Sequence, residues 1–303
     1  MAISRSQLVK ELEPGLNALF GLEYKRYENQ HAEIYTNENS DRAFEEEVML
    51  SGFANAQVKA EGSGVSFDEA QETFTARYTH ETVALAFAIT EEAIEDNLYD
   101  RLASRYTKAL ARSMSNAKQV KAVEPLIQGL PSTDNFDSGD GVSLFNTSHP
   151  TVAGTFKNTL STQADLNETS LEQSMIDIAQ MTDERGLRIA ARGVKMIIPS
   201  ELQFTAERLM KSQGRTGTAD NDINAIVSMG MIPQGYRINN YLTDTDAFYI
   251  LTDIPNGMKM FTRAPLTTAM EGDFDTGNVR YKARERYSFG VSDPRGIFGV
   301  EGA

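Results

Sequence analysis

Three histidines, His31, His80 and His149, are the only imidazoles in a chain that has no cysteine. They fall in three separate segments. None has a second histidine or an acid at metal-ligand spacing on one helix face. Without cysteine there is neither a disulfide nor a thiol nucleophile to consider. His149, in "NTSHP", reads as a turn residue whose ring bonds nearby backbone. "DNFDSGDG" has the look of a calcium loop, but Phe136 occupies an oxygen-ligand position and no glutamate stands where a twelve-residue loop needs one. It reads better as a solvated acidic turn. "QGRTGTADND" is glycine-rich, yet it lacks the G-x-x-x-x-G-K-[ST] spacing of a phosphate loop and follows helix-forming residues rather than a strand. Neither a G-x-S-x-G elbow nor a G-x-G-x-x-G fingerprint occurs. The expectation is a chain with no catalytic, cofactor or metal site, and not an enzyme.

One chemical pattern does stand out. In "NVRYKARERYSFGVSDPRGIFGV", Arg280, Lys282, Arg284 and Arg286 occupy every second position, in a chain with 29 Lys+Arg against 43 Asp+Glu and a formal charge of −14. Period two puts the four cations on one face of a strand and Tyr281, Tyr287 and Phe289 on the other. Rings turned into a core cannot stack on bases, so a nucleic-acid reader is not indicated. The acidic balance also opposes tight sequestration of nucleic acid. The first residues, "MAISRSQLVKELEPGL", contain no apolar signal region, and no stretch approaches the ~20 apolar residues of a membrane span. A soluble, unexported chain without membrane contact is expected, and 303 residues suggest two lobes or one large irregular fold.

The elements that would position these residues follow from pattern. "SRSQLVKELEPGLNALFGLEY" offers a short amphipathic helix (Leu8, Leu12, Leu16, Leu19) broken at Pro14-Gly15; it is either an ordinary terminal helix or an arm on another subunit. From Phe44 to Ile89 the pattern is of strands, with Gly62-Ser63-Gly64 as the reversal of a long hairpin. Its distal half reads as polar (Gln57, Lys59, Glu61, Ser63, Ser66, Asp68, Glu69), and such a ribbon is marginal unless something outside it covers it. Thr90, with Glu91, Glu92, Glu95 and Asp96, then starts a helix. Ile94, Leu98, Leu102, Tyr106, Ala109, Ser113, Ala117 and Val120 recur at helical steps, and Pro125 closes it after about 34 residues, ~50 Å of helix. Cations dominate its second half: Arg101, Arg105, Lys108, Arg112, Lys118 and Lys121. Residues 129–156 are turn chemistry, Ser170 caps a helix ending near Gly186, and Val194 to Ile198 is a buried strand followed by a helix from Ser200. Short strands alternate with turns from Met231 onward. Asp41 to Asp96 is overwhelmingly acidic, so surfaces of opposite sign on long elements are expected to meet, within one subunit or between neighbours.

In order and length these elements resemble the major capsid protein of tailed bacteriophages, with its α+β, Hong Kong 97-type fold. "YTHETVALAFAITEEAIEDNLYDRLASRYTKALA" is similar to the return strand of that family's hairpin running into its spine helix. "LFNTSHP" resembles a phrase found after the spine helix, "GLRIAARGVKMIIPSEL" the approach to the axial (A) domain, and the stretch with Arg280, Glu285, Arg286 and Pro294 the terminal strand and last turn. The resemblance implies an N-terminal arm (1–43), an E-loop hairpin (44–89), a peripheral (P) domain (90–190) with its spine helix (90–124), an A domain (191–272), and a final segment (273–303) returning through the P domain to a last A-domain strand.

What the resemblance implies for function is a coat protein that self-assembles into hexamers and pentamers of an icosahedral virion capsid around double-stranded DNA. Assembly would take place in the host bacterial cytoplasm, with portal and scaffolding proteins and an optional decoration protein as partners, and with packaged DNA held without specific binding. The inter-subunit residues would be Lys59, Glu61, Gly62, Gly64, Asp68 and Glu69 on the hairpin, Gly214, Arg215 and Gly217 near the capsomer axis, and Arg280, Lys282, Arg284 and Arg286 on the terminal strand. No partner for Lys59 in a covalent cross-link can be named. Two alternatives remain: an encapsulin-like shell around a cargo enzyme, and a soluble α+β enzyme with an unrecognised site.

Overall fold

The computed structural model describes residues 5–90, 92, 99–214, 222–273 and 277–303, with residues 5–12 and 99–102 as backbone alone. The expected helix start at Glu91, Glu95 and Asp96 therefore lies outside the described residues, as do Arg215 and Gly217.

Helix α1 (Arg5–Tyr24) runs unbroken through Pro14. The expected break does not occur, because Leu16 and Phe20 beyond the proline are buried against the long helix, and Phe20 stacks on Tyr24. That burial outweighs a lost helical hydrogen bond. This half of the helix packs on its own chain. A short strand β1 (Thr36–Asn39) follows, then β2 (Phe44–Leu50) and β3 (Glu72–Thr79), which pair antiparallel as the hairpin stem. Strand β4 (Glu81–Ile89), expected to belong to the hairpin, leaves it at His80 and enters a different sheet.

The long helix is α2 (Tyr99–Gln128). Ala103, Thr107, Leu110, Ala111, Met114, Ser115, Gln119, Ala122, Val123 and Leu126 form its buried stripe, while Arg105, Lys108 and Arg112 face solvent. Pro125 does not close it. The last turn continues to Gln128, anchored by buried Leu126 and Leu130. After a loop come β5 (His149–Thr151) and β6 (Gly154–Phe156), then α3 (Glu168–Ala179). The cap of α3 is Asn167, with Ser170 as its reciprocal partner in a capping box. The helix stops before Gly186 because the Asp183 carboxylate accepts the N–H groups of Arg185 and Leu187, forming a turn in which Gly186 takes φ +80°.

Strand β7 (Gly193–Ile198), helices α4 (Gln203–Lys211) and α5 (Ala225–Met229), and strands β8 (Tyr236–Ile238) and β9 (Phe248–Thr252) build the second lobe. β10 (Met258–Gly272), β11 (Val279–Val291) and β12 (Ile297–Val300) complete the chain. Two mixed four-stranded sheets result, β1-β10-β11-β4 and β12-β9-β7-β8. Where short strands alternating with turns were expected, "GMKMFTR" and "LTTAMEG" form one strand with bulges around Ala264. Pro265 is tolerated there because β1 pairs only as far as Thr262, so β10 is an edge strand beyond it. β10 thus sits in the first sheet, although the sequence placed residues up to 272 in the A segment. One core joins α2 to the first sheet and to Tyr249 and Ile297 of the second; another fills the second lobe around Met196, Ile250 and Phe298.

Candidate assembly interface

Alternation along β11 is as the sequence implies. Arg280, Lys282 and Arg284 are exposed and Arg286 is half-buried, while Val279, Tyr281, Ala283, Glu285 and Tyr287 are buried. The neighbouring strands decide what the cation row looks like. On one side Ala88, Ala86, Ala84 and Thr82 of β4 stand opposite Arg280, Lys282, Arg284 and Arg286. On the other, Glu271, Ala269, Thr267 and Ala264 of β10 do. Long cations therefore rise from a floor of mostly methyl and hydroxyl groups. Arg280 pairs with Asp273, and Arg286 Nε donates to the His80 carbonyl. Lys282 and Arg284 have no ion pair among the described residues.

Beneath that row lies a residue whose role the sequence reading missed. Glu285 is the single acid on the apolar face of β11. It is 2% exposed, bonded to Lys118 of α2 at 3.2 Å and to the Tyr24 hydroxyl of α1 at 3.3 Å. Burial raises its carboxyl pKa even against the pull of Lys118. Its signal in the sequence was phase: an acid at an odd-numbered position among tyrosines and alanine.

The hairpin differs from its expected polar character. Lys59, Glu61, Gly62, Gly64, Asp68 and Glu69 are exposed as expected, and Gly62 takes φ +80° at the tip. Before and among them, however, stand Phe53, Val58, Val65 and Phe67, with Val58 99% and Phe67 97% exposed. Only a few contacts tie the distal loop to its own body. Asp68 accepts the N–H groups of Ala54 and Glu69 and lies 3.4 Å from Arg185; these lower its pKa, the Ala54 bond most of all. Arg185 Nη2 also donates to the Glu69 carbonyl at 2.5 Å.

The stem is held firmly. Lys259 of β10 bonds Glu47 at 2.5 Å and Glu38 at 3.2 Å; burial alone would depress its ammonium pKa, but the two carboxylates raise it. At the point where β3 gives way to β4, the His80 ring bridges Ser288 and Ser40, each at 2.9 Å. Ser40 Oγ donates to Glu45 at 2.7 Å, so Nε2 of His80 carries the proton that Ser40 accepts. Burial first, then Arg286, lowers the pKa of His80 and keeps the ring neutral.

The other histidines are also structural. His31 is buried edge-on to Phe289 and pushed down to about 4 by burial and Lys118. His149 bonds two side chains rather than backbone: Nδ1 to Asp140 at 2.7 Å and Nε2 to Asn158 at 2.9 Å. The acidic turn is thus only partly solvated. Asp137 is exposed, but the Asp140 carboxylate is buried on the imidazole. Desolvation acts to raise the Asp140 pKa, yet the bonds from His149, Ser138 and the Val142 N–H lower it. Asn158 extends the chain, donating to the Leu144 and Pro294 carbonyls. Nearby, buried Arg295 bonds Glu184 at 2.5 Å and Asp293 at 3.2 Å and lies over Phe156. Gly214 sits in an isolated bridge with Ile223. Among the described residues no group of three or more His, Asp or Glu is placed to hold a metal ion, and no helix is long and apolar enough to cross a membrane.

A family model described as phage capsid protein matches residues 72–300, well over half of the chain. The chain belongs to the phage capsid protein family. Similar solved structures are the capsid of an empty GTA particle (13% identity, 91% of each chain covered, TM-score 0.55) and the capsid of Myoviridae phage XM1 (12%, 89% of each chain, 0.52). A virus-like particle from Pyrococcus furiosus is also similar (11%, 94% of this chain and 98% of that one, 0.52). At these identities the likeness shows the fold alone, the Hong Kong 97-like capsid fold. Among curated protein sequences, none matches this capsid protein significantly. It is a major capsid protein, a structural component of the virion capsid that assembles with copies of itself. The family does not favour the encapsulin-like alternative.

Proposed function

We propose that this capsid protein closes into hexamers and pentamers of an icosahedral head around double-stranded DNA, and that the hairpin of one subunit lies across the cation row of its neighbour. The carrying observation is the pair of unmatched surfaces within one subunit. The distal hairpin holds exposed Phe53, Val58, Val65 and Phe67 among Glu61, Asp68 and Glu69, while Lys282 and Arg284 have no ion pair among the described residues and stand over a shallow floor. Apolar side chains of that size, exposed together, mark an association surface. Opposite charge sets its register. Lys59, Gly62 and Gly64 belong to the same crossing, and the loop at Gly214, Arg215 and Gly217 to the capsomer axis.

The chain divides as arm (1–43), hairpin (44–80), P domain with α2 and the first sheet, and A domain with the second, β12 being its last strand. The pairing of β4 and β10 with β11 supports placing both with the P sheet. A net charge of −14 repels packaged DNA rather than fixing it to the wall. Portal and scaffolding proteins, a possible decoration protein and assembly in the host bacterial cytoplasm complete the proposal.

The test is negative-stain microscopy of the purified protein, with and without a scaffolding partner. Wild type forms shells. Arg284→Glu/Arg286→Glu leaves a folded subunit that forms none, and normal shells from that double variant refute the crossing.

A further inference from the structure

The A domain carries a second unmatched pair of features, distant in kind from the hairpin. The outer face of α4 presents Phe204, 69% exposed, in line with Arg208 and Lys211, while Ala206 and Leu209 on the opposite face are buried. Glu201, one turn earlier, is exposed. Elsewhere on the domain, a groove of about 590 Å³ lies between the end of α3, the start of β7 and the turn after α5. Its apolar lining includes Met175, Ala179, Val194, Met229 and Met231, and no residue of α4 contributes to it. Met229 is 71% exposed at its mouth. The rim holds Asp253 beside Arg192, whose backbone N–H it accepts at 2.8 Å. Among the described residues none of Glu201, Arg208, Arg192 and Asp253 forms an ion pair.

We infer that Phe204 of one subunit seats in the methionine-lined groove of the next subunit in the ring, with Arg208 meeting Asp253 and Glu201 meeting Arg192. The inference rests on the capsid reading and names a contact within it. Three properties support a second copy as the occupant. A single aromatic ring fits a groove walled by thioethers, which are polarizable and adapt to the shape of what enters them. The flanking charges are complementary in two pairs rather than one, which fixes orientation. Knob and groove lie on different elements, with no residue of α4 in the groove, so one such contact to each neighbour is head-to-tail, and contacts of that kind close into rings when the rotation permits.

The absence of cysteine from the chain makes the test clean. Phe204→Cys/Ala179→Cys is assembled, oxidised and run on a non-reducing denaturing gel. The expected result is a ladder that ends at the ring size, collapsing to monomer on reduction, with each single variant remaining monomeric. A charge-swap series covers the case in which the cysteine pair disturbs folding. Arg208→Glu and Asp253→Arg each reduce ring yield at least tenfold, and the double variant recovers most of it. Shells whose double-cysteine variant stays monomeric on the oxidised gel, or single charge variants that assemble as wild type does, overturn the contact and leave the capsid reading standing. A wild-type protein that forms neither rings nor shells overturns the capsid reading, and this contact with it.

Discussion

Lys118→Ala tests how α1, α2 and the cation strand are joined. The Lys118 side chain is 16% exposed, whereas that of Glu285 is 3% exposed, so the two ends of this ion pair are unequal. Removing Lys118 leaves a carboxylate in a nearly dry site whose remaining partner is the Tyr24 hydroxyl. Breaking one side of a buried pair costs about 3–5 kcal/mol. Because the Tyr24 hydroxyl remains, we place the cost at the low end, about 3 kcal/mol at pH 7. At roughly 2 °C per kcal/mol for a chain of this size, the subunit melts about 6 °C lower. Glu285→Gln costs less, about 1 kcal/mol, because the freed ammonium reaches water on its flexible stem.

The pH dependence separates this account from simple loss of packing. The folded pKa of Glu285 is raised above its unfolded value. The stability it contributes when protonated is complete below about pH 4.3 and is lost as pH rises through the folded value. Removing the cation raises that folded value further. The deficit of Lys118→Ala is therefore largest at neutral pH and shrinks toward pH 4. Urea unfolding of unassembled subunits, followed by circular dichroism at pH 4, 5.5 and 7, measures it. A deficit below 0.5 kcal/mol at pH 7 (roughly the size of an ordinary surface substitution) or one that grows on acidification refutes the reasoning.

Two further outcomes follow from the same geometry. Phe53→Ser/Phe67→Ser changes subunit unfolding by about 0.5 kcal/mol or less, because both rings are already in water, yet it sharply lowers shell yield by light scattering. Asp140→Asn costs about 2 kcal/mol at pH 7 through its weakened bond to His149; since the folded pKa of Asp140 is lowered, its contribution is present above about pH 3.9 and lost as pH falls through the folded value, so thermal melts of variant and wild type converge in acid.

What could be read from the chain was whatever depends on period. The alternation of β11 follows from one repeated geometric constraint, and the structure reproduces it. The long helix was legible but its buried face was not: Tyr106, Ala109, Ser113 and Val120 of the expected stripe are exposed, and Ala103, Thr107, Leu110, Ala111 and Met114 are buried instead, because α1 and β11, distant in sequence, set which face is covered. Local punctuation was a poorer guide. Pro14 and Pro125 signal helix breaks when judged by neighbours alone, but Leu16, Phe20 and Leu126 beyond them are buried by residues far away in sequence. β4 illustrates the same limit: "VALAFAI" continues the hairpin's rhythm, and only its partner β11, some two hundred residues later, assigns it to a sheet. The ion pairs of Glu285 and Arg295 lay beyond reach for that reason also, since Lys118 and Glu184 are brought to them by topology.

The distal hairpin failed differently, and the failure carries information. Its polar residues were read as evidence of weak attachment, and Phe53, Val58, Val65 and Phe67 were passed over because they fall into no sustained period. A segment that folds onto its own domain must place its apolar side chains in phase with a strand or helix that has a buried face. One whose cover comes from another molecule has no such phase to keep within its own chain. Irregular apolar residues in an acidic ribbon, with Lys282 and Arg284 lacking an ion pair among the described residues on a separate strand, suit the proposed contact between different copies.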